Sequence, residues 1–178
     1  MATRYVLLLR GINVGRGRRV SMQDLRALLA GLGYTDVATL LQSGNAVFTS
    51  TRRQADKVCA EVEQAIAGKL GMPVRCVVRT AAQLGAVVDA NPFPEHTGDG
   101  ARLMVAFASG PVDRAKLAGV AADQFAPDEF RLGDREIYLW LPNGASGSRI
   151  PIDFWDKQTG LLITTRNWNT VTKLRAAA

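Results

Sequence analysis

Val37-Ala38-Thr39-Leu40-Leu41-Gln42-Ser43-Gly44-Asn45-Ala46-Val47-Phe48-Thr49 reads as two short strands around a polar turn. Residues 37–41 and 46–49 are the strands, and Gln42-Ser43-Gly44-Asn45 has the chemistry of a hairpin. Upstream, Met22, Leu25, Leu28, Leu29 and Leu32 fall at helical spacing. Ser21 stands as N-cap with Asp24 three residues on, and Gly31 and Gly33 suit the helix end. Before that helix, Tyr5-Val6-Leu7-Leu8-Leu9 is a continuous apolar run of the kind a buried strand carries. Downstream, Ala55, Val58, Cys59, Val62, Ala65, Ile66 and Leu70 form a second helical stripe. Gly71 and Pro73 end it, and residues 74–78 read as another strand. The first half is therefore β-α-β-β-α-β.

The second half repeats the order. Residues 81–89 read as a connecting helix, ended by Asn91-Pro92-Phe93-Pro94 because a residue before proline is pushed out of the α region. Residues 103–108 are a strand. Pro111 starts an expected helix with Leu117, Val120, Ala121 and Phe125 as its stripe. Residues 129–132 and 136–141 flank Gly133-Asp134 as a hairpin. A Gly/Ser loop covers 142–148, a short helix 152–157, a closing strand 161–163 and a last helix 168–175. The expected fold class is α+β, two tandem ferredoxin-like (βαββαβ, alpha-beta plait) subdomains with antiparallel sheets. The expected division is residues 1–80, a connecting segment 81–101, and residues 102–178. No residue-level repeat accompanies the repeated architecture.

In such a sheet the first two strands run the same way. The loop over residues 10–19 and the turn at 42–45 are therefore expected at the same end, with residues 71–73 beside them.

Four segments carry a resemblance: Leu8-Leu9-Arg10-Gly11-Ile12-Asn13-Val14-Gly15, Gln42-Ser43-Gly44-Asn45-Ala46-Val47-Phe48, Asn91-Pro92-Phe93 and Thr164-Thr165-Arg166-Asn167-Trp168-Asn169-Thr170-Val171. In this order they resemble the bacterial family catalogued as domain of unknown function 1697. The resemblance implies two ferredoxin-like subdomains and implies no activity. Gly15-Arg16-Gly17-Arg18-Arg19 departs from it, since relatives more often carry a Gly-Gly-Lys-like turn there.

With 178 residues, 47% of them hydrophobic, the chain can bury a core without disulfides or metal. Two cysteines and one histidine are too few for a structural zinc site, and no metal or cofactor is expected. Cys59 on a helical stripe and Cys76 in a strand read as small hydrophobes, with a disulfide or a reactive thiol as the alternative. Residues 1–4 lead directly into a strand-like run without a signal-peptide h-region, and no apolar stretch spans a bilayer, so a cytoplasmic location is expected. The net charge of +6 suggests an anionic partner, whether nucleotide, phosphate or nucleic acid.

The segment over residues 10–19 is the strongest candidate site. Gly11 and Gly15 allow successive N–H groups to face one way, and the loop leads into a helix start. Arg10, Arg16, Arg18 and Arg19 supply bidentate donors, and Asn13 an amide. It is neither a Walker A loop nor a G-x-G-x-x-G fingerprint. The plain alternative is a solvated basic loop. Gln42, Ser43 and Asn45 lie beside it by topology and either contact a ligand or satisfy the turn's own backbone. In the last motif Thr165 or Asn167 suits an N-cap, Arg166 a structural bridge or an anion clamp, and Trp168 core packing or stacking on a ring.

His96, between Glu95 and Thr97, is read as an exposed loop histidine, and no hydrolytic triad is visible. Asp153 and Asp156 are read as residues of a short helix start. The strands lack the exposed aromatics of a single-stranded RNA platform. The leading reading is a binding module for an anionic ligand. A metal-independent enzyme acting on a small anionic metabolite is the first alternative. The second is an interaction module whose motifs hold the halves together.

Overall fold

The apolar run at residues 5–9 forms the body of strand β1 (Thr3–Leu9), whose last five residues are buried. Alternate side chains leave opposite faces of a strand, so burial of both Tyr5-Leu7-Leu9 and Val6-Leu8 makes β1 an interior strand covered on both faces. The computed structural model of the chain describes residues 1–13, 19–52 and 54–178. The chain divides into two compact units, residues 1–85 with 173–178 and residues 86–172. Both are mixed α and β, each with a four-stranded antiparallel sheet.

In the first unit β1 is followed by helix α1 (Met22–Gly31), strands β2 (Thr35–Leu40) and β3 (Asn45–Ser50), helix α2 (Ala55–Leu70) and strand β4 (Cys76–Thr80). The strand order is β2-β3-β1-β4. Ser21 caps α1 as its sequence position implies: its hydroxyl accepts the Asp24 N–H at 2.9 Å. Gly71 ends α2 in the left-handed region at φ 65°. Both helices press their stripes onto one sheet face. Leu25, Leu28, Leu29, Val58, Val62 and Ile66 pack with Tyr5, Leu7, Phe48 and Val78. Phe48 stacks on Tyr34 with ring centroids 4.5 Å apart. Edge strand β2 has no fully buried residue and is irregular between Thr35 and Ala38.

Helix α3 (Ala81–Asp89) follows β4 at once. It starts on a reciprocal cap in which Thr80 N–H donates to Gln83 Oε1 and Gln83 N–H to Thr80 Oγ1.

The second unit holds strands β5 (Leu103–Ala108), β6 (Glu129–Leu132) and β7 (Glu136–Trp140), helix α4 (Phe154–Thr159) and strand β8 (Ile163–Asn167), in the sheet order β6-β7-β5-β8. Helix α5 (Trp168–Ala177) begins directly after β8. Ala106, Ala108, Ile137, Leu139 and Ile163 form the core with Leu117, Phe130 and Trp155.

Three expectations need correction here. The helix expected after Pro111 does not form; residues 114–119 and 122–127 are turns. Their bonds reach three residues back, as in Leu117 N–H to Arg114 O and Val120 N–H to Leu117 O. Gly119 weakens a helix there, and the Asp113 carboxylate accepts the Ala115 N–H in a competing local turn. Leu117 and Phe125 are buried without a helix. The closing strand runs through residues 163–167 rather than 161–163, with Arg166 opposite Val105 and Asn167 opposite Met104. His96 is half-buried, stacked on Trp140 at 3.7 Å between ring centroids and 3.5 Å from a Glu95 oxygen.

Candidate functional site

Strands β1 and β2 each pair antiparallel with β3 and so run the same way. The segment leaving β1 and the turn leaving β2 meet at one end of the sheet. Leu9 N–H donates to Gly44 O at 2.8 Å, and Arg10 N–H to Arg75 O at 2.9 Å. Gly44 is required twice over. Its φ is 77°, and a Cβ there would sit 2.7 Å from both Ile12 Cδ1 and Leu9 Cβ. Buried Ile12 is thereby seated against the hairpin.

Asn13 is the organising side chain. It sits in the left-handed region at φ 56°, where asparagine is the best-tolerated residue after glycine. Its Oδ1 accepts the Val20 N–H at 3.0 Å, and its Nδ2 donates to Val20 O at 2.9 Å and to Gln42 O at 2.6 Å. One amide therefore draws residues 13 and 20 together and ties both to the hairpin. The N–H and C=O of buried Val20 gain partners that water would otherwise have to supply, and the exposed Gln42 carbonyl ties them to the hairpin.

Beside this clamp lies a cavity of about 370 Å³ lined by Asn13, Arg19, Val20, Ser21 and Gln42. Arg19 and Gln42 are exposed. Arg19 brings positive charge to the lining. The N-terminus of α1 adds a partial positive charge, but the Asp24 carboxylate in its first turn opposes it. Attraction for an anion must therefore come mainly from arginine.

Of the residues singled out in the sequence, Asn13, Arg19 and Gln42 share this cavity, and Gly11 is exposed with φ 61°. Arg10 is half-buried at the strand end. Gly15, Arg16 and Arg18 lie outside the described residues. Asn45 is fully buried, and its Nδ2 donates to Leu40 O at 3.0 Å and to Ser43 Oγ at 2.9 Å, closing the hairpin. Val20 and Ser21 join the lining without having been singled out as site residues. Ser21's place directly after the basic segment was the available signal.

Arg166, Asn167 and Trp168 belong to the second unit and are built differently. Arg166 is 8% exposed, and its Nη1 donates to Thr164 Oγ1 and to Thr165 O, both at 2.9 Å. Burial pushes its pKa down to about 10, which leaves it charged at neutral pH. Asn167 Oδ1 accepts the Thr170 N–H at 2.9 Å and the Thr170 hydroxyl at 2.8 Å, capping α5. Trp168 is buried.

Among the described residues, Cys59, Glu63 and Cys76 bring three ligand atoms within 4.8 Å of one another. No helix among them is long and apolar enough to cross a membrane.

No curated protein matches the chain significantly. A solved structure described as conserved bacterial protein SP0830 from Streptococcus pneumoniae is similar over 99% of both chains, with a TM-score of 0.77 and 24% identity, a likeness of fold. The sequence model of a family described as protein of unknown function (DUF1697) matches residues 2–138. That span takes in three of the four segments noted in the sequence, including both that build the clamp, and the chain belongs to this family.

Proposed function

We propose that the protein is a binding module for a phosphate-bearing or otherwise anionic ligand, a nucleotide or a nucleic acid strand, held at the arginine- and glycine-rich segment between β1 and α1. The Asn13 clamp carries this reading. It fixes both ends of the basic segment against Gln42 and leaves an open cavity at its root. A fixed stem lowers the entropy lost when arginines close on a ligand. Arg10, Arg16, Arg18 and Arg19 supply the charge, Asn13 and Gln42 orient the ligand, and backbone N–H groups near Gly11 complete the cradle. The strand orders β2-β3-β1-β4 and β6-β7-β5-β8 support reading both units as ferredoxin-like.

Labelled oligonucleotides and nucleotides titrated at two salt concentrations test the proposal. A nucleic-acid strand gives affinity that falls steeply with salt as counterions are released. A nucleotide gives one saturable site with a milder slope. Arg16→Ala with Arg19→Ala is expected to weaken binding at least about tenfold, the loss of two charge-assisted bonds. Lys57→Ala with Lys69→Ala, two exposed charges on α2, is expected to leave affinity nearly unchanged. Equal loss in both variants, or no binding of either class at low salt, overturns the proposal.

A further inference from the structure

Cys59, half-buried on α2 at the border of the core, faces the first residue of β4, Cys76. The sulfurs lie 2.9 Å apart, and Cys59 Sγ also donates to Cys76 O at 3.1 Å. Both cysteines are free. The separation is shorter than contact between unbonded sulfurs and longer than the bond of about 2.0 Å. The backbone around them is fastened independently. Glu63, one turn on from Cys59, accepts the Cys76 N–H at 2.8 Å and Arg75 Nε at 3.0 Å on one carboxylate oxygen. Helix and strand end are thus held at a spacing that does not depend on the sulfurs.

We propose that Cys59 and Cys76 are a redox site, a dithiol that closes to a disulfide when the chain meets a small disulfide oxidant. A metal is the other chemistry this group suggests, and the geometry favours it less. Two thiolates on a tetrahedral zinc, with Zn–S about 2.3 Å, stand roughly 3.8 Å apart, so a metal must push these sulfurs away from each other. The carboxylate oxygen that faces the pair already takes two N–H donors. A bond between the sulfurs needs neither change.

The order of events follows from exposure. Cys76 is 1% exposed, whereas Cys59 is only partly buried. The neighbouring Cys59 and burial also push the Cys76 thiol up, so it stays protonated at neutral pH. Cys59 therefore attacks first, as its thiolate. It bonds one sulfur of oxidised glutathione, the S–S bond breaks, and one glutathione leaves and takes up the proton that Cys59 lost. Cys76 then attacks Cys59 Sγ and expels the second glutathione, which takes the Cys76 proton. Two protein thiols lose two electrons, and one oxidised glutathione becomes two reduced ones. The product staples α2 to β4 one residue from Arg75, whose carbonyl holds the Arg10 N–H at the root of the basic segment.

The test equilibrates the whole chain in glutathione buffers of rising oxidised share, quenches with acid, alkylates free thiols and reads intact mass. The folded chain is expected to lose both thiols together, to retain no glutathione, and to reach half-oxidation at about a tenfold lower oxidised share than the chain unfolded in urea. Cys76→Ser is expected to trap one glutathione on Cys59, and Cys59→Ser to react at least about tenfold more slowly. Three results overturn the proposal: a wild-type chain that keeps glutathione on Cys59 without closing, a pair that oxidises more readily unfolded than folded, or one equivalent of zinc whose chelation is needed before either thiol alkylates. The wild-type comparison decides even if the serine variants fail to fold.

Discussion

Asn13 and Asn167 are asparagines in polar motifs that each lead toward a helix, and the protein uses them in opposite ways. Asn167 bonds the N–H and hydroxyl of Thr170, three residues away, and its neighbours Arg166 and Trp168 are buried. Asn13 reaches Val20 and Gln42, seven and twenty-nine residues away, and leaves an open cavity beside it. The first arrangement ends a strand and starts a helix, and its one cation, Arg166, is buried. The second spends its bonds on holding two chain segments together and leaves Arg19 and Gln42 exposed. Polar density alone therefore does not mark a site. A polar side chain that bridges distant segments while charges beside it remain in solvent is the better sign.

The widest separation between the two regions is expected from Trp168→Ala. It empties buried volume in the second unit and is expected to cost about 3–5 kcal/mol in urea unfolding, with ligand affinity unchanged in whatever folded fraction remains. Gly44→Ala comes next. A Cβ must enter the space of Ile12 and Leu9 at a φ of 77°, an expected cost of about 2–4 kcal/mol, and the displaced hairpin takes Gln42 with it. Here stability and binding fall together, and loss of only one of them would separate the hairpin from the site.

Asn13→Gly sharpens the comparison. Glycine keeps the positive φ, so only the clamp is removed. About 1–2 kcal/mol of stability is expected to go, and anion affinity to fall by more than that change explains. Asn167→Gly is the matched variant in the second unit. It is expected to cost only a few tenths of a kcal/mol, as glycine at an N-cap does, and to leave binding untouched.

The smallest effect lies outside both regions. Lys157 holds the exposed Asp153 carboxyl below its ordinary value of 3.8. A depressed carboxyl contributes stability that is present above its unfolded pKa and is lost as pH falls through the lowered folded value. The carbon-13 shift of that carboxyl, followed from neutral pH downward, is expected to titrate below 3.8 in the wild type and to return toward it in Lys157→Ala.

Much of the first unit was legible because punctuation and periodicity agree there. Ser21 starts α1, Gly71 ends α2, and the apolar run at 5–9 admits only a buried strand. Residues 111–125 misled because Leu117, Val120, Ala121 and Phe125 keep a helical spacing that successive three-residue turns also satisfy. Strand β8 was longer than its apolar part because Arg166 is buried in it, and a charged residue gives no sequence sign of burial. The meeting of the basic segment with the hairpin followed from topology. The clamp did not, because it depends on one amide reaching across two chain segments. The cysteine pair was illegible for the same reason, since helix packing and strand register, not spacing, bring positions 59 and 76 together.

The central claim is most directly tested by following backbone amide resonances while pyrophosphate is added to the intact protein. The account predicts that Asn13, Val20, Ser21 and Gln42 shift together, saturate on one dissociation constant and do so at higher concentration in Asn13→Gly, while residues 163–168 stay still. Shifts spread without saturation over the exposed lysines and arginines, or centred on residues 163–168, would contradict it.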